Sequence, residues 1–301
     1  MNRRTRRARV MVSAGLAVTL GITVLAAGQT VLAASPPTVG LGTAAPFAVL
    51  AGTPAITNTG PSTITGDVGI APGAGVTGFP PGTINGTIHA ADAVAIQAQT
   101  DLVAAYTDAE GRSSTATHAT LGGLTLVAGV YDAGGATLDL TGTLTLDGQN
   151  DPDSVWIFQA TSDLVTASSS TVRMINGGDP CNVFWQVTSS ATLGSGSTLV
   201  GTVMALTSIT MASGATLRGR ALARNGDVTL INDRITGPGC AAPAPAPAPT
   251  ATPRPGATPP ATDAAPGPRS RPPGWITGLA LAAIVLLSLT AIARRRAIRR
   301  R

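Results

Sequence analysis

Residues 184–216 read FWQVTSSATLGSGSTLVGTVMALTSITMASGAT, and this stretch decides the fold. It contains two rounds of one pattern. Phe184-Trp-Gln-Val-Thr-Ser leads to Ser195-Gly-Ser-Thr198, and Val203-Met-Ala-Leu-Thr-Ser leads to Ser213-Gly-Ala-Thr216. Each round opens with apolar residues, reaches a small polar pair, and passes through a short run that ends in a hydroxyl residue and an apolar one. Ile157-Phe-Gln-Ala-Thr-Ser, followed by Ser168-Ser-Ser-Thr171, is a third round, and Phe47-Ala-Val-Leu-Ala-Gly-Thr begins a fourth. The threonines are 27 and 18 residues apart; the longer step contains the additional segment Asn176-Gly-Gly-Asp-Pro-Cys181. A period of about 18–20 residues is one coil of a three-sided β-solenoid, in which stacked coils bring equivalent residues into rows. Val, Leu and Ile then point inward, and the small hydroxyl residues form rows outside.

Working outward, most of residues 38–240 consists of short β-type runs punctuated by Gly, Asn-Gly and Gly-Asp. One stretch differs. Ala90–Arg112, AADAVAIQAQTDLVAAYTDAEGR, has no Pro and no internal Gly until its end. Ala91, Val94, Ala95, Ala98, Leu102, Ala105 and Tyr106 recur at helical spacing, which predicts an amphipathic helix packed along a β body. The first coil lies before this helix and the others after it. Stacking order therefore need not follow sequence order, and the N-terminal coil is free to sit beside the C-terminal ones.

These residues resemble the bacterial and fungal ice-binding-like family over roughly residues 39–236. The matching stretches include Leu41-Gly-Thr-Ala-Ala-Pro-Phe-Ala-Val-Leu-Ala-Gly, Gly66-Asp-Val-Gly, Val76-Thr-Gly-Phe-Pro-Pro-Gly, Leu121-Gly-Gly-Leu-Thr-Leu, Leu140-Thr-Gly-Thr-Leu-Thr-Leu-Asp, Asn182-Val-Phe-Trp-Gln-Val and Gly219-Arg-Ala-Leu-Ala-Arg. Ala128 stands where the family usually has Pro before Gly-Val-Tyr. The resemblance implies an all-β fold: a discontinuous right-handed three-sided β-solenoid with one long α-helix alongside. It also implies ice binding through a flat face bearing a short Thr-Ala/Gly-x-Thr/Asn pattern. The nearest matches here are Ser195–Thr198 and Ser213–Thr216, with Ser168–Thr171 looser. The candidate site residues are therefore Ser168, Thr171, Ser195, Thr198, Ser213 and Thr216, and the expected partner is ice or ordered water. Thr59-Gly-Pro-Ser62 extends the row, and Asn232-Asp-Arg-Ile235 breaks it. Outward Ser and Thr also suit any soluble solenoid, so a surface adhesin for a polysaccharide or cell-surface ligand, or a structural envelope protein, stays open as the alternative.

Composition limits the function further. Apolar residues make up 44% of the chain but aromatics only 3% and charges 12%, which suits short strands and tight turns. All 20 basic residues are Arg, and most lie at the two ends. Between residues 35 and 240 six Arg face 14 acids, a net charge of −8, which argues against nucleic acid as a partner. Neither His89 nor His118 has neighbours at metal-ligand spacing, and no nucleophile elbow or phosphate loop is present. Asp147, Asp151 and Asp153 depart from the spacing of a calcium loop and read as an Asp-rich turn. No enzyme activity, cofactor or metal is expected.

The ends predict the compartment. Arg3, Arg4, Arg6, Arg7 and Arg9, an apolar run from Val10 to Ala27 and small residues around Val31-Leu-Ala-Ala34 read as a signal peptide over residues 1–34. The ectodomain covers 38–240. Residues 241–274 hold 12 Pro among Ala and Thr and predict a polyproline stalk. Residues 275–293 are an uncharged 19-residue apolar stretch, long enough for a transmembrane helix. Six Arg in residues 294–301 place that tail in the cytoplasm. The expected protein is exported and single-pass, with its ectodomain outside the cell membrane. Outside the cell, Cys181 and Cys240 are expected to form a disulfide.

Overall fold

The computed structural model describes residues 35–237 and Gly239. The signal peptide, stalk, membrane span and Arg-rich tail expected from the sequence lie outside these residues, as does Cys240. Among the described residues no helix is long and apolar enough to cross a membrane.

The described chain is a parallel β-solenoid with three faces. The chain visits face I, then face II, then face III, and repeats. On face I lie Phe47–Ala51, Gly129–Asp132, Trp156–Ala160 and Val183–Val187. On face II lie Ala55–Thr59, Leu138–Leu140, Leu164–Thr166, Ala191–Leu193, Ile209–Met211 and Val228–Ile231. On face III lie Thr63–Thr65, Thr143–Asp147, Thr171–Ile175 and Arg234–Thr236. Thr198–Ala205 and Thr216–Ala223 run through the corner, pairing with face III strands at their starts and with face I strands at their ends.

The order of stacking departs from the order of sequence, as expected. On face II the strands run 138–140, 164–166, 191–193, 209–211, 228–231, and then back to 55–59 and 75–77. The N-terminal coil thus sits on the C-terminal coil, with Ile56 opposite Val228 and Ile64 opposite Ile235. The chain must then return from Ile88–Ala90 at one end of the stack to Ala116–Thr117 at the other. Nine strands line face I between these limits, which at strand spacing is about 38 Å. The helix Ala93–Glu110 supplies most of that distance, since 18 residues rise about 27 Å.

The helix also explains why face I is buried on both sides. Phe47–Ala51, Trp156–Ala160 and Val183–Val187 are buried at every residue. Inward, Tyr131, Phe158 and Trp185 are in register and stack, with ring centroids 5.6 and 4.2 Å apart. Outward, Leu50, Ile157, Phe184, Met204 and Leu222 pack with Ala98, Leu102, Ala105 and Tyr106 of the helix. Two glutamines fasten it. Gln99 Nε2 donates to the carbonyls of Ala51 and Ala223, and Gln159 Nε2 to those of Ala109 and Arg112 at 2.8 and 2.7 Å. At the other end Asp92 caps the helix by accepting from Ala95 N. Val94, expected on the inner stripe, is 48% exposed, and Ala91 precedes the cap. The stripe runs instead through Ala95, Ala98, Leu102, Ala105, Tyr106 and Ala109, and Val94 lies about 70° from its centre.

The repeat alignment also needs correction in two of four segments. Phe184 pairs with Ile157 as aligned, but with Thr202 and not Val203. In the first coil it is Val49 and not Ala48 that shares the row of Phe158, through Ala221, Val203 and Trp185. Register is legible where apolar and polar residues alternate. Face I is apolar on both sides, so its alternation carries no register.

The corner between faces III and I depends on glycine. Gly201 (φ 107°) and Gly219 are paired in register. A Cβ on Gly219 would strike the carbonyl of Gly201, and one on Gly201 the carbonyl of Val183. At the corner between faces II and III the buried Asp233 does comparable work. Its carboxylate accepts from Ala215 N at 2.8 Å and Ile231 N at 2.6 Å. Its own N–H donates to Ser62 Oγ, which ties the last coil to the first.

Burial pushes Asp233 up to about 6 from 3.8, although the backbone donors pull the other way. The folded state therefore holds a proton that the unfolded chain releases, and stability falls as pH rises through that interval. Backbone hydrogen bonds lower Asp101 and side-chain and backbone ones lower Asp132; these groups act in the opposite sense, and below that interval. The thermal midpoint should decline between pH 4 and 6.5, and Asp233→Asn should flatten that slope. A wild-type midpoint that rises across this interval would contradict the assignment.

Candidate functional site

The helix covers face I, so faces II and III are the surfaces left to solvent. Along a strand, alternate residues point outward, and parallel pairing puts equivalent residues of successive coils in rows. On face III one row reads Thr143, Thr171, Thr198, Thr216, Arg234, Thr63 and Thr83 in consecutive register. Thr171, Thr198 and Thr216 are thus brought together, each half-buried, as neighbours of one row.

Ser168, Ser195 and Ser213 lie just before this row, exposed on the turns between faces II and III. The offsets of 27 and 18 residues hold on both sides of the turn, so the serines are also in register. Adjacent turns are hydrogen-bonded: Ser169 N donates to Ser195 O at 2.9 Å and Gly196 N to Ser213 O at 3.1 Å. The residue after each serine is left-handed, with φ of 59°, 64° and 78° at Ser169, Gly196 and Gly214. In the next coil Ile231 takes the serine position and Arg234 the threonine position, so the hydroxyl pattern stops there. It resumes beyond it at Thr59, opposite Ile231, and at Thr63, opposite Arg234.

A second outward row of face III is less uniform. Thr125, Thr145 and Arg173 are in register at one end, and Val200, Arg218, Thr236, Thr65 and Asn85 at the other. Val200 is only 2% exposed, while Arg173, Arg218 and Arg234 are all exposed.

Face II carries a row that the sequence reading missed. Thr192, Thr210, Thr229, Thr57 and Thr77 follow one another in register, all on the solvent side. No charged residue interrupts these five. The row continues through Val165 to Asp139 at its far end. Its signal was a single threonine between inward apolar residues, as in Ala191-Thr-Leu, Ile209-Thr-Met and Val228-Thr-Leu. Thr57 and Thr77 were hidden because they precede the helix in sequence and follow Thr229 only in the stack. Aspartates border this face: Asp227 accepts from Ser208 and Thr229 hydroxyls, and Asp163 is held below its usual range, first by the Ser190 backbone N–H.

The remaining polar residues singled out in the sequence have local partners. His89 Nδ1 lies 2.8 Å from the capping Asp92 carboxylate. Asp147 accepts from Gln149 N and Asn176 Nδ2, and Asp151 from Asp153 N, as turn-forming aspartates do. Among the described residues no cysteine is free.

Comparison with known proteins places this architecture. The family described as ice-binding-like matches residues 49–236. The chain is 46% identical over 199 residues to an ice-binding protein of Nostoc sp. (strain HG1), covering 65% of this chain and 73% of that protein. It is similar in structure to an ice binding protein from an Antarctic biological consortium, at TM-score 0.65 and 42% identity, over 68% of this chain and 93% of that one. The ice-binding protein of the Antarctic ascomycete Antarctomyces psychrotrophicus aligns at TM-score 0.63 and 43% identity, over 66% and 98% of the two chains.

Proposed function

The chain belongs to the ice-binding-like family, and on that premise we propose that it binds ice through face III. The observation that carries this reading is the unbroken register of Thr143, Thr171, Thr198 and Thr216 on a face the helix leaves open. Ser168, Ser195 and Ser213 add a second hydroxyl row on the adjoining turns. Successive coils repeat at about 4.8 Å, so hydroxyls and methyls recur at a fixed interval on a backbone held by hydrogen bonds on both sides. Such a face can hold ordered water with little further loss of freedom, while the threonine methyls order the water above them. Serine supplies the hydroxyl without the methyl.

Face II is a second reading, favoured by its longer row of five threonines free of charge. Bulky substitutions separate the two. Full-length protein carrying Thr198→Tyr should lose most of its thermal hysteresis and its inhibition of ice recrystallisation, and Thr210→Tyr should keep both. The reverse result would move the site to face II. Inactivity of the wild type would leave the adhesin or envelope reading.

The exported, single-pass arrangement is part of the same proposal. It rests on the signal-like start, the Pro-rich segment and the apolar residues 275–293 followed by arginines. A surface anchor with a stiff stalk would hold the solenoid clear of the envelope, for adhesion to ice or protection of the cell. Deleting residues 275–293 should shift the protein from the membrane fraction to the medium. Recovery of wild type from the medium would refute the anchor.

Cys181 and Cys240 are the only cysteines of the chain, and Cys181 is not free. We assign a disulfide between them, closing the end of the solenoid. Cys181→Ser should then cost about 2–4 kcal/mol of stability. Two titratable thiols in the denatured, unreduced protein would disprove the bond.

A further inference from the structure

The arginines of face III have no evident part in binding ice. We propose that Arg173, Arg218 and Arg234 form a second site, which takes a linear carboxylated polysaccharide. Three observations lead there. First, these are the exposed arginines of the described residues, and all three stand on one face. Arg220 is buried, and Arg112 and Arg224 are half-buried. Second, none of the three has an ion-pair partner among the described residues. The ion pairs among the described residues are His89–Asp92 and Arg112–Asp108. The one acid within the face III strands, Asp147, sits at a strand end, and Gln149 N and Asn176 Nδ2 already engage it. Third, the ectodomain as a whole is acidic, with a net charge of −8 between residues 35 and 240. A positive stripe on an acidic body is a site of attraction for sparsely charged anions. The same body repels densely charged ones.

Spacing identifies the shape of the ligand. Arg173 and Arg218 occupy equivalent outward positions two strands apart, since Thr171, Thr198 and Thr216 share one row; that separation is about 9.6 Å. Arg234 lies one strand beyond Arg218 and one outward position earlier, opposite Thr216. The three charges therefore line up across the strands, along the axis of the stack. Nothing encloses them, so a small anion would stay largely hydrated. A polymer lying along the stack meets each in turn, and successive weak contacts add through its continuity.

Chemistry selects the class. A guanidinium offers two parallel N–H donors that match a carboxylate. Among the arginines stand the hydroxyls of Thr198, Thr216 and Thr236, which both donate and accept and so suit sugar hydroxyls. An acidic polysaccharide presents both groups, with its carboxylates set apart by sugar rings and so less crowded than the charges of a polyphosphate. This site adds charges that the ice reading does not need to hydroxyls that both share, so variants of the arginines separate the two.

Binding of the full-length protein to immobilised polygalacturonate tests the proposal, with neutral dextran and long-chain polyphosphate as comparison surfaces. The expected result is retention on polygalacturonate that weakens with added salt, and none on dextran. The triple variant R173Q/R218Q/R234Q should lose affinity by at least about tenfold at an unchanged thermal midpoint, and Arg218→Gln alone should lose part of it. Thermal hysteresis of the triple variant reports on ice binding independently, and its retention shows that the fold is intact. No retention on polygalacturonate, equal affinity of the glutamine variants, or tighter retention on polyphosphate would each overturn the assignment.

Discussion

The outward surface depends on the parallel pairing of the last coil with the first. Val228–Ile231 lies beside Ala55–Thr59, and Arg234–Thr236 beside Thr63–Thr65. Without that junction the molecule would be two short stacks, each with exposed strand edges. With it, the rows run through seven strands on face II and eight on face III, and the interior is one continuous core. The pairing is possible because the helix carries the chain back along the whole stack.

The helix has a second consequence: it determines which faces can function. By covering face I it turns those strands into fully buried ones, apolar on both sides. The other two faces keep the alternation of inward apolar and outward polar residues. The rigidity of the open faces follows from the same construction. Each strand inside the stack is hydrogen-bonded on both sides, the aromatic stack of Tyr131, Phe158 and Trp185 fills the interior, and glycines permit the tight corner at Gly201 and Gly219. A surface that must hold water in a fixed arrangement needs this kind of backing, since any disorder of its hydroxyls would have to be removed on binding.

The two open faces differ in chemistry as well as orientation. Face II shows an uncharged threonine row with aspartates at its border. Face III combines hydroxyl rows with all the exposed arginines of an otherwise acidic domain. The stretch from Thr143 to Thr216 is the most regular part of face III, and Arg234 marks where it stops. A single solenoid can therefore present distinct surfaces to distinct partners, because rows on different faces draw on different positions of the repeat.

The sequence by itself determined the coil period, the inward set of Val, Leu and Ile, the helix and the row of Thr171, Thr198 and Thr216. These are consequences of local alternation and spacing, which a single strand or helix already expresses. It did not determine the register of face I, where both sides of each strand are apolar and a slip of one residue leaves the pattern unchanged. Nor did it reveal that Thr57 and Thr77 continue the row of Thr192, Thr210 and Thr229. That depends on contact between segments far apart in the chain, and only the stacking of the first coil on the last brings them together.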